Sequence, residues 1–547
     1  MTQIRNVLFV AWLLVAFLLW REWGTEHASP VPAPAIPAAA QASAASASIP
    51  AAATVPGAAV AVAAPVQAAS GGPVVHLRND VLALELDGRA MLRAELLKYP
   101  QTREPNSPPV VLFDTTPANY FAAEARWRGV DGGELVPQAE GSIRDFELAN
   151  GAQTVDARFV ATAANGMQLQ RTVTLTRGSY AVRVHDTLVN GGTTAWTGDI
   201  DRLLERVPPT VKSGFTNPQS FSLNGAAWYS PTDKYKKRKY PKFVEDGPLN
   251  QTVAGGWVAL SQHYFLAAWV PQKDQSALFS LGQKGSLYNI EARGPRVSLA
   301  PGQRFESNAT LWAGPKLADK LDDTATGLGL AMDYGIFTVL SKPIHWLLTQ
   351  LHKLTHNWGW AIVLLVVLIK AVLYPLSAAQ YKSMAKMRKF QPRIAQLKER
   401  YGDDKQKFQM AMLDLYKKEK INPAGGCLPV LVQMPVFLAL YYVLLEAVEL
   451  RQAPWILGWV NDLTAQDPYF ILPILNAAVM FLTQRMTPTV GMDPMQQKMM
   501  QMMPLVMAVM FAFFPAGLVL YWVTNGTLGM LQQWWNTRRY AEQPAAE

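Results

Sequence analysis

Cysteine is nearly absent. Cys427 is the only one in 547 residues, which excludes an intramolecular disulfide, a paired-thiol redox centre and a multi-cysteine metal site. Charge is also scarce: 17% of residues are Asp, Glu, Lys or Arg while 50% are apolar, a balance between those of soluble and fully membrane-embedded chains. There is no P-loop, no dinucleotide-binding glycine turn, no cluster of His and carboxylates at metal spacing and no G-x-S-x-G elbow. Nothing marks an ATPase, a metalloenzyme or a serine hydrolase, so no catalytic residue, metal or cofactor is expected.

What is present divides into unlike populations. The mean hydropathy of +0.04 averages a polar stretch, residues 74–330, with a densely apolar one, residues 358–535. The net charge of +9 gathers in loops flanking the apolar runs, where Lys and Arg hold a segment on the cytoplasmic side. Membrane topology accounts for that charge better than nucleic acid does.

Residues 1–23 contain an apolar run behind Arg5 that ends in Trp20, Arg21, Glu22 and Trp23, a poor peptidase site but a fitting membrane interface. An N-terminal transmembrane anchor is expected, with a cleaved signal peptide as the alternative. Residues 24–73 are dominated by Ala, Pro, Ser, Val and Gly and have too few bulky side chains for a core, so they read as a linker. Residues 74–330 show short alternating runs broken by Gly, Asn, Asp and Pro, as in MQLQRTVTLTRGSYAVRVHDTLVN, which predicts an all-β sandwich. Within it, residues 255–271 read as one or two buried strands, and KYKKRK (Lys234 to Lys239) as an exposed loop.

Residues 331–357 place Phe337, Leu340, Ile344, Leu347, Leu348 and Leu351 on one helical face. This predicts an amphipathic helix, either interfacial or packed on the sandwich, kinked or interrupted at Pro343. A transmembrane span follows at 358–376, and residues 428–535 hold four more apolar runs. With the anchor, that makes about six spans. Between them, residues 377–427 carry twelve Lys and Arg against Glu399, Asp403, Asp404, Asp414 and Glu419, which makes the loop cytoplasmic. Apolar residues there at three- and four-residue spacing predict a helical hairpin whose basic face suits ribosomal RNA or anionic lipid, unless it is merely solvated. The tail, residues 536–547, falls on the same side, so both termini are expected in the cytoplasm and the sandwich outside.

Lys370 lies within the 358–376 span, where burying an ammonium costs roughly 2.5–3.5 kcal/mol on insertion scales. A functional charge and a side chain snorkelling to the interface both remain open. Gln433, Asn476, Tyr521, Thr524 and Asn525 are further polar groups in the apolar runs, fit either to line a wet cavity or to bond across helices. The methionines from Met492 to Met510 form an adaptable apolar surface or ordinary core.

The stretches YPLSAAQYKSMAKMRKFQPRIAQLKERYGDDKQK, INPAGGCLPVLVQMPVFLALYYVLLEAVELRQAPW, LTAQDPYFILPIL, DPMQQKMM and FPAGLVLYW closely resemble the YidC family of membrane protein insertases, in the Gram-negative form with a large periplasmic domain. The resemblance implies a five-helix membrane core around a hydrophilic groove, open to the cytoplasm and to lipid. It also implies a groove cation that attracts acidic or polar residues of the incoming segment; the matching position is usually Arg in the family and is Lys370 here, which keeps the charge but loses the guanidinium fork. By the same resemblance Met434 and Pro435 are candidate client contacts, and the partners are nascent membrane proteins, the Sec translocon, the ribosome, and signal recognition particle with its receptor. Two other classes are a secondary transporter, for which no inverted repeat is visible, and a membrane-anchored periplasmic carbohydrate-binding protein, supported by fold analogy alone.

Overall fold

The computed structural model describes residues 72–210, 220, 222–401, 404–419, 428–486 and 494–541. The expected anchor, nearly all of the linker, Cys427, Met492 and the end of the tail lie outside the described residues.

Strands form where the sequence alternates. Met167–Thr176 and Ala181–Asn190 pair antiparallel from Met167↔Asn190 to Leu175↔Val182. The turn between them uses Gly178 at φ 68°, a backbone region open to glycine. Alternate residues Met167, Leu169, Arg171, Val173 and Leu175 face inward.

Among the described residues, two sheets of twelve and nine strands stack as a sandwich. The twelve-stranded sheet is centred on Trp196–Arg206, which pairs with Phe121–Gly129 and Leu287–Arg293. The nine-stranded sheet runs in the order Lys234–Lys239, Gly225–Ser230, Trp257–Ser261, Phe265–Pro271, Arg304–Pro315, Ala181–Asn190, Met167–Thr176, Thr154–Thr162, Gln138–Ala139. Residues 255–271 thus supply two strands. Lys234–Lys239 is an edge strand and not the exposed loop expected: it pairs with Gly225–Ser230, and Tyr235 packs inward against Trp257.

Phe121, Leu204 and Phe279 from one sheet meet Val173, Trp269 and Leu311 from the other. Each such side chain withdrawn from water stabilises the fold by roughly 1.5–3 kcal/mol. Arg171 is buried among them, and four of its five guanidinium N–H donors are engaged: two 2.7 Å bonds go to the Asp186 carboxylate and one each to the Gly88 and Ala125 carbonyls. Trp127 donates its indole N–H to the same carboxylate at 2.8 Å. A paired carboxylate and this many hydrogen bonds are what allow a buried charge to persist.

The C-terminal part is helical. Helix α1 (Thr338–Thr355) runs through Pro343 without a break. The carbonyl that proline leaves without its helical donor belongs to Val339, a residue 85% exposed, so the helix loses little there. The Ile344, Leu347 and Leu351 side chains of α1 pack on the helical core, and Ser341 donates to the Ala439 carbonyl at 3.1 Å. Helix α2 (Trp358–Val372) is capped by Asn357, whose side chain accepts from the Trp360 amide. The chain turns by 63° at Leu373 into α3 (Tyr374–Lys389), where Pro375, in the first turn of α3, offers no amide to the Ala371 carbonyl of α2. Helices α4 (Gln391–Tyr401) and α5 (Lys405–Lys418) form a hairpin clasped by an Arg393–Glu419 ion pair at 2.7 Å. Then follow α6 (Leu428–Glu446), α7 (Ile471–Arg485), α8 (Pro494–Phe511) and α9 (Ala516–Ala541).

Among the described residues no single helix is long and apolar enough to cross a membrane; the bent pair Trp358–Val372 and Tyr374–Tyr381 meets that test together. The helices therefore establish a helical C-terminal part without fixing the number of spans.

Sandwich and helices meet at the end of α6. Lys316 and Glu446 form an ion pair at 3.2 Å with side chains 0% and 2% exposed. Beside it, His263 donates Nε2–H to the Leu445 carbonyl at 2.9 Å. Arg451 donates to the Gln101 carbonyl at 3.0 Å, and Arg103 pairs with Asp462 at 3.0 Å.

Lys316→Ala leaves the Glu446 carboxylate buried and unpaired and costs about 3–5 kcal/mol, whereas Lys316→Met combined with Glu446→Leu restores stability to near wild type. Thermal unfolding of the purified protein in detergent checks both. Burial holds His263 neutral, its pKa pushed down to about 3, with its bond to the Leu445 carbonyl opposing that shift only in part. The unfolded chain takes up a proton near pH 6.5, so stability is complete above that value and falls as the pH drops toward 3. His263→Gln makes the unfolding temperature less steep in pH across that window.

Candidate functional site

Helices α2, α3, α6 and α9 bring the polar residues of the apolar region together. Lys370 lies in the last turn of α2, half-buried, and forms no ion pair with another described residue. Its Nζ stands 3.6 Å from the place where a Cβ on Gly529 of α9 would sit, so the glycine leaves the ammonium room against that helix. One turn back on α9, Asn525 Oδ1 accepts from Gln433 Nε2 of α6 at 2.9 Å. The Gln433 side chain also hydrogen-bonds Tyr521, which is buried.

The polar line continues along α9. The Tyr381 hydroxyl donates to the Gly529 carbonyl at 3.1 Å, and the Tyr374 hydroxyl donates to Asn536 Oδ1 at 3.4 Å. Asn525, Gly529, Gln532 and Asn536 recur at spacings of four, three and four, which puts them on one helical face. Sequence reasoning missed Tyr374, Tyr381, Gln532 and Asn536. That spacing was a visible signal for the α9 residues; the tyrosines are legible only once the bend at Leu373 is known.

Other expected members lie apart. Asn476 is buried but donates to the Met480 sulfur of its own helix at 3.7 Å. Thr524 donates back to the Leu520 carbonyl at 2.8 Å, a local bond within α9. Met434, 46% exposed, and Pro435 face outward beside Gln433. On α8, Met499, Met502, Met503, Leu505, Val506 and Val509 are exposed as well.

Burial is graded along the bundle. At the end near the sandwich, Ile362 and Leu365 of α2, Leu440 and Val443 of α6, Phe511, and Val519 and Leu520 of α9 form one packed apolar cluster. Toward the other end of the same helices, Val367, Leu368 and Val372 are exposed, and residues 522–530 of α9 are only half-buried. The shared core of these helices is thus densest on the sandwich side and looser on the far side.

A cavity of about 780 Å³ lies at the joint, lined by Arg103, His263, Tyr264, Arg451 and Asp462 among others, and no groove candidate reaches it. Among the described residues, no three His, Cys, Asp or Glu side chains converge in a way that could hold a metal ion.

Comparison with known proteins matches both halves. The family described as 60Kd inner membrane protein matches residues 350–543, and the YidC periplasmic domain matches residues 74–347. Fold and matches together define an inner-membrane protein with a helical C-terminal part and a periplasmic β-sandwich. The membrane protein insertase YidC of Stenotrophomonas maltophilia (strain R551-3) is 54% identical over 559 residues, spanning 100% of this chain and 98% of that protein. Its counterpart in Xanthomonas campestris pv. campestris (strain 8004) is 51% identical over 571 residues, spanning 100% of this chain and 99% of that protein. A crystal structure of active YidC insertase with its first transmembrane domain resolved matches 84% of this chain and 93% of that chain, at 18% identity and a TM-score of 0.37. The chain belongs to the YidC family of membrane protein insertases.

The Gln433–Asn525 bond crosses from α6 to α9 and is expected to couple them by about 0.6 kcal/mol, within a ceiling of roughly 2 kcal/mol. A double-mutant cycle with Gln433→Leu and Asn525→Leu, read by unfolding in detergent, measures that term; additivity of the two single losses would show that the bond does not join the helices.

Proposed function

We propose that this protein inserts segments of other membrane proteins into the bacterial inner membrane through a groove between α2, α3, α6 and α9, with Lys370 as its cation. The observation that carries this reading is Lys370 itself: a half-buried ammonium in an apolar helix, unpaired by any described carboxylate and set beside Gly529 and the Gln433–Asn525 bond. A charge held there at a cost of roughly 2.5–3.5 kcal/mol marks a functional site by default.

The graded burial supports a groove open to the cytoplasm and closed toward the periplasm. A polar or acidic tail enters the open end, where water and Lys370 shorten its apolar path. Its apolar helix then leaves sideways past Met434, Pro435 and the exposed side chains of α8. Transfer of the client's apolar surface out of water, at roughly 25 cal/mol per Å², drives the step without a nucleotide or a covalent intermediate.

In the same reading the chain crosses the membrane about six times, five of the spans forming the core, with both termini in the cytoplasm. The basic α4–α5 hairpin and the tail meet the ribosome or signal recognition particle and its receptor, and the sandwich meets the Sec translocon. Tyr521 braces Gln433 in the groove wall, whereas Asn476 and Thr524, bonded within their own helices, lie outside it.

The test is insertion of a small single-span client with an acidic outer tail into liposomes holding only this protein. Lys370→Arg is expected to retain insertion, and Lys370→Ala to lower it at least tenfold. Full activity of the Ala variant would show that Lys370 merely snorkels.

A further inference from the structure

The Lys234–Lys239 strand serves neither the groove nor the joint. Five of its six residues are Lys or Arg, and Lys234, Lys236, Lys237 and Lys239 are exposed along the edge of the nine-stranded sheet. One inward- or outward-pointing lysine suffices to guard a sheet edge from pairing with another chain, so guarding alone leaves most of this charge unexplained.

Its position supplies the missing reason. Lys237 reaches the Asp333 carboxylate at 2.6 Å, and Asp333 immediately precedes the turn that starts α1. Around that turn Ile336 is 90% exposed and Val339 85%, with Trp346 exposed one face further along α1. Phe337, four residues beyond Asp333, stacks on Tyr442 of α6 with ring centroids 6.0 Å apart, which sets the strand near the outer end of α6. Val244, on the short helix that follows, is exposed too. Cations on both faces of an edge strand, Lys237 toward the bare apolar rim and Lys234 and Lys236 on the opposite face, match at the outer end of a membrane helix the chemistry of an anionic membrane surface. Neighbouring acids offset only part of the charge: Lys237 pairs with Asp333 and Arg238 lies 3.8 Å from Asp246. Lys234 and Lys236 pair with no described carboxylate.

We propose that the Lys234–Lys239 strand binds the phosphodiester headgroups of anionic phospholipids in the outer leaflet of the inner membrane, while the apolar rim at the start of α1 enters the same leaflet. The strand thereby sets the height of the sandwich above the bilayer and enriches anionic lipid beside α1 and α6. The proposal needs the outer face of the helical part to lie at the membrane surface but is independent of Lys370.

The test uses the full chain in liposomes, with Cys427→Ser and Thr232→Cys so that one dye reports from the tip of the hairpin leading into the strand. Headgroup-spin-labelled phosphatidylglycerol is expected to quench that dye severalfold more than headgroup-spin-labelled phosphatidylcholine, with the preference fading in high salt. Lys234→Asn and Lys236→Gln each lower the preference roughly fivefold, whereas Lys236→Arg keeps it. Asn suits position 234 because Lys234 holds a φ of 60°. Client insertion by these variants at the wild-type rate shows that they are folded. Equal quenching by the two lipids, or a preference that survives loss of both lysines, overturns the proposal and leaves the strand as an edge guard or a protein-docking surface. A second dye at Val339→Cys is expected to be quenched by both lipids; no quenching there overturns the placement of the rim, and the proposal with it, without touching the insertase reading.

Discussion

The ion pair between Lys316 and Glu446 holds two regions that fold in different solvents. Lys316 follows the Arg304–Pro315 strand of the sandwich, and Glu446 ends α6. With both side chains removed from water, neither charge persists without the other, so the pair fixes where the strand ends relative to the helix. Everything else at the joint is consistent with that one registration: the His263 bond to the Leu445 carbonyl, the Arg451 bond to the Gln101 carbonyl, and Val448, beyond α6, packed into the core of the sandwich. A hydrophobic contact alone would let the two parts slide. A buried pair with a 3.2 Å separation does not.

Anchoring α6 at its outer end has a consequence at its inner end. The apolar cluster through Ile362, Leu440, Phe511 and Val519 closes the bundle beneath the sandwich. Below it, the helices are joined by a few side-chain bonds, chiefly Gln433 to Asn525 and Tyr381 to the Gly529 carbonyl. Bonds of that kind contribute little each in a membrane and are remade easily with other polar groups or water. The densely packed half gives the bundle its stability, and the looser half keeps its polar groups exchangeable.

The alternation of Met167–Thr176, the turn at Gly178 and the basic loop between α3 and α6 were legible because each is a local pattern with a local cause. What was not legible depends on partners distant in sequence. Arg171 follows the inward alternation, but only Asp186 and the Gly88 and Ala125 carbonyls explain why an arginine is tolerated there. Lys234–Lys239 looked like a loop because charge dominates its composition, while its strand state is set by pairing with Gly225–Ser230. Pro343 looked like a break, yet its neighbour Val339 is exposed, so the freed carbonyl costs little. Gln433 and Asn525 were both singled out from the sequence, but their bond to each other and the stripe continuing to Asn536 required knowing which face of α9 meets α6 and α3.

A lysine rather than an arginine at position 370, in the proposed groove, is compatible with this geometry. An arginine there would bring a planar fork needing two or more acceptors, and the described neighbours of position 370 supply no carboxylate to receive it. Lysine is a compact charge on a flexible stem, and Gly529 gives that stem space without demanding a fixed bond. Its three donors can turn toward water, toward the α9 backbone or toward an entering acidic side chain as each becomes available. An attraction without fixed geometry is the kind that suits clients whose sequences differ, because it acts on charge at a distance and leaves the apolar part of each client to find its own way into lipid.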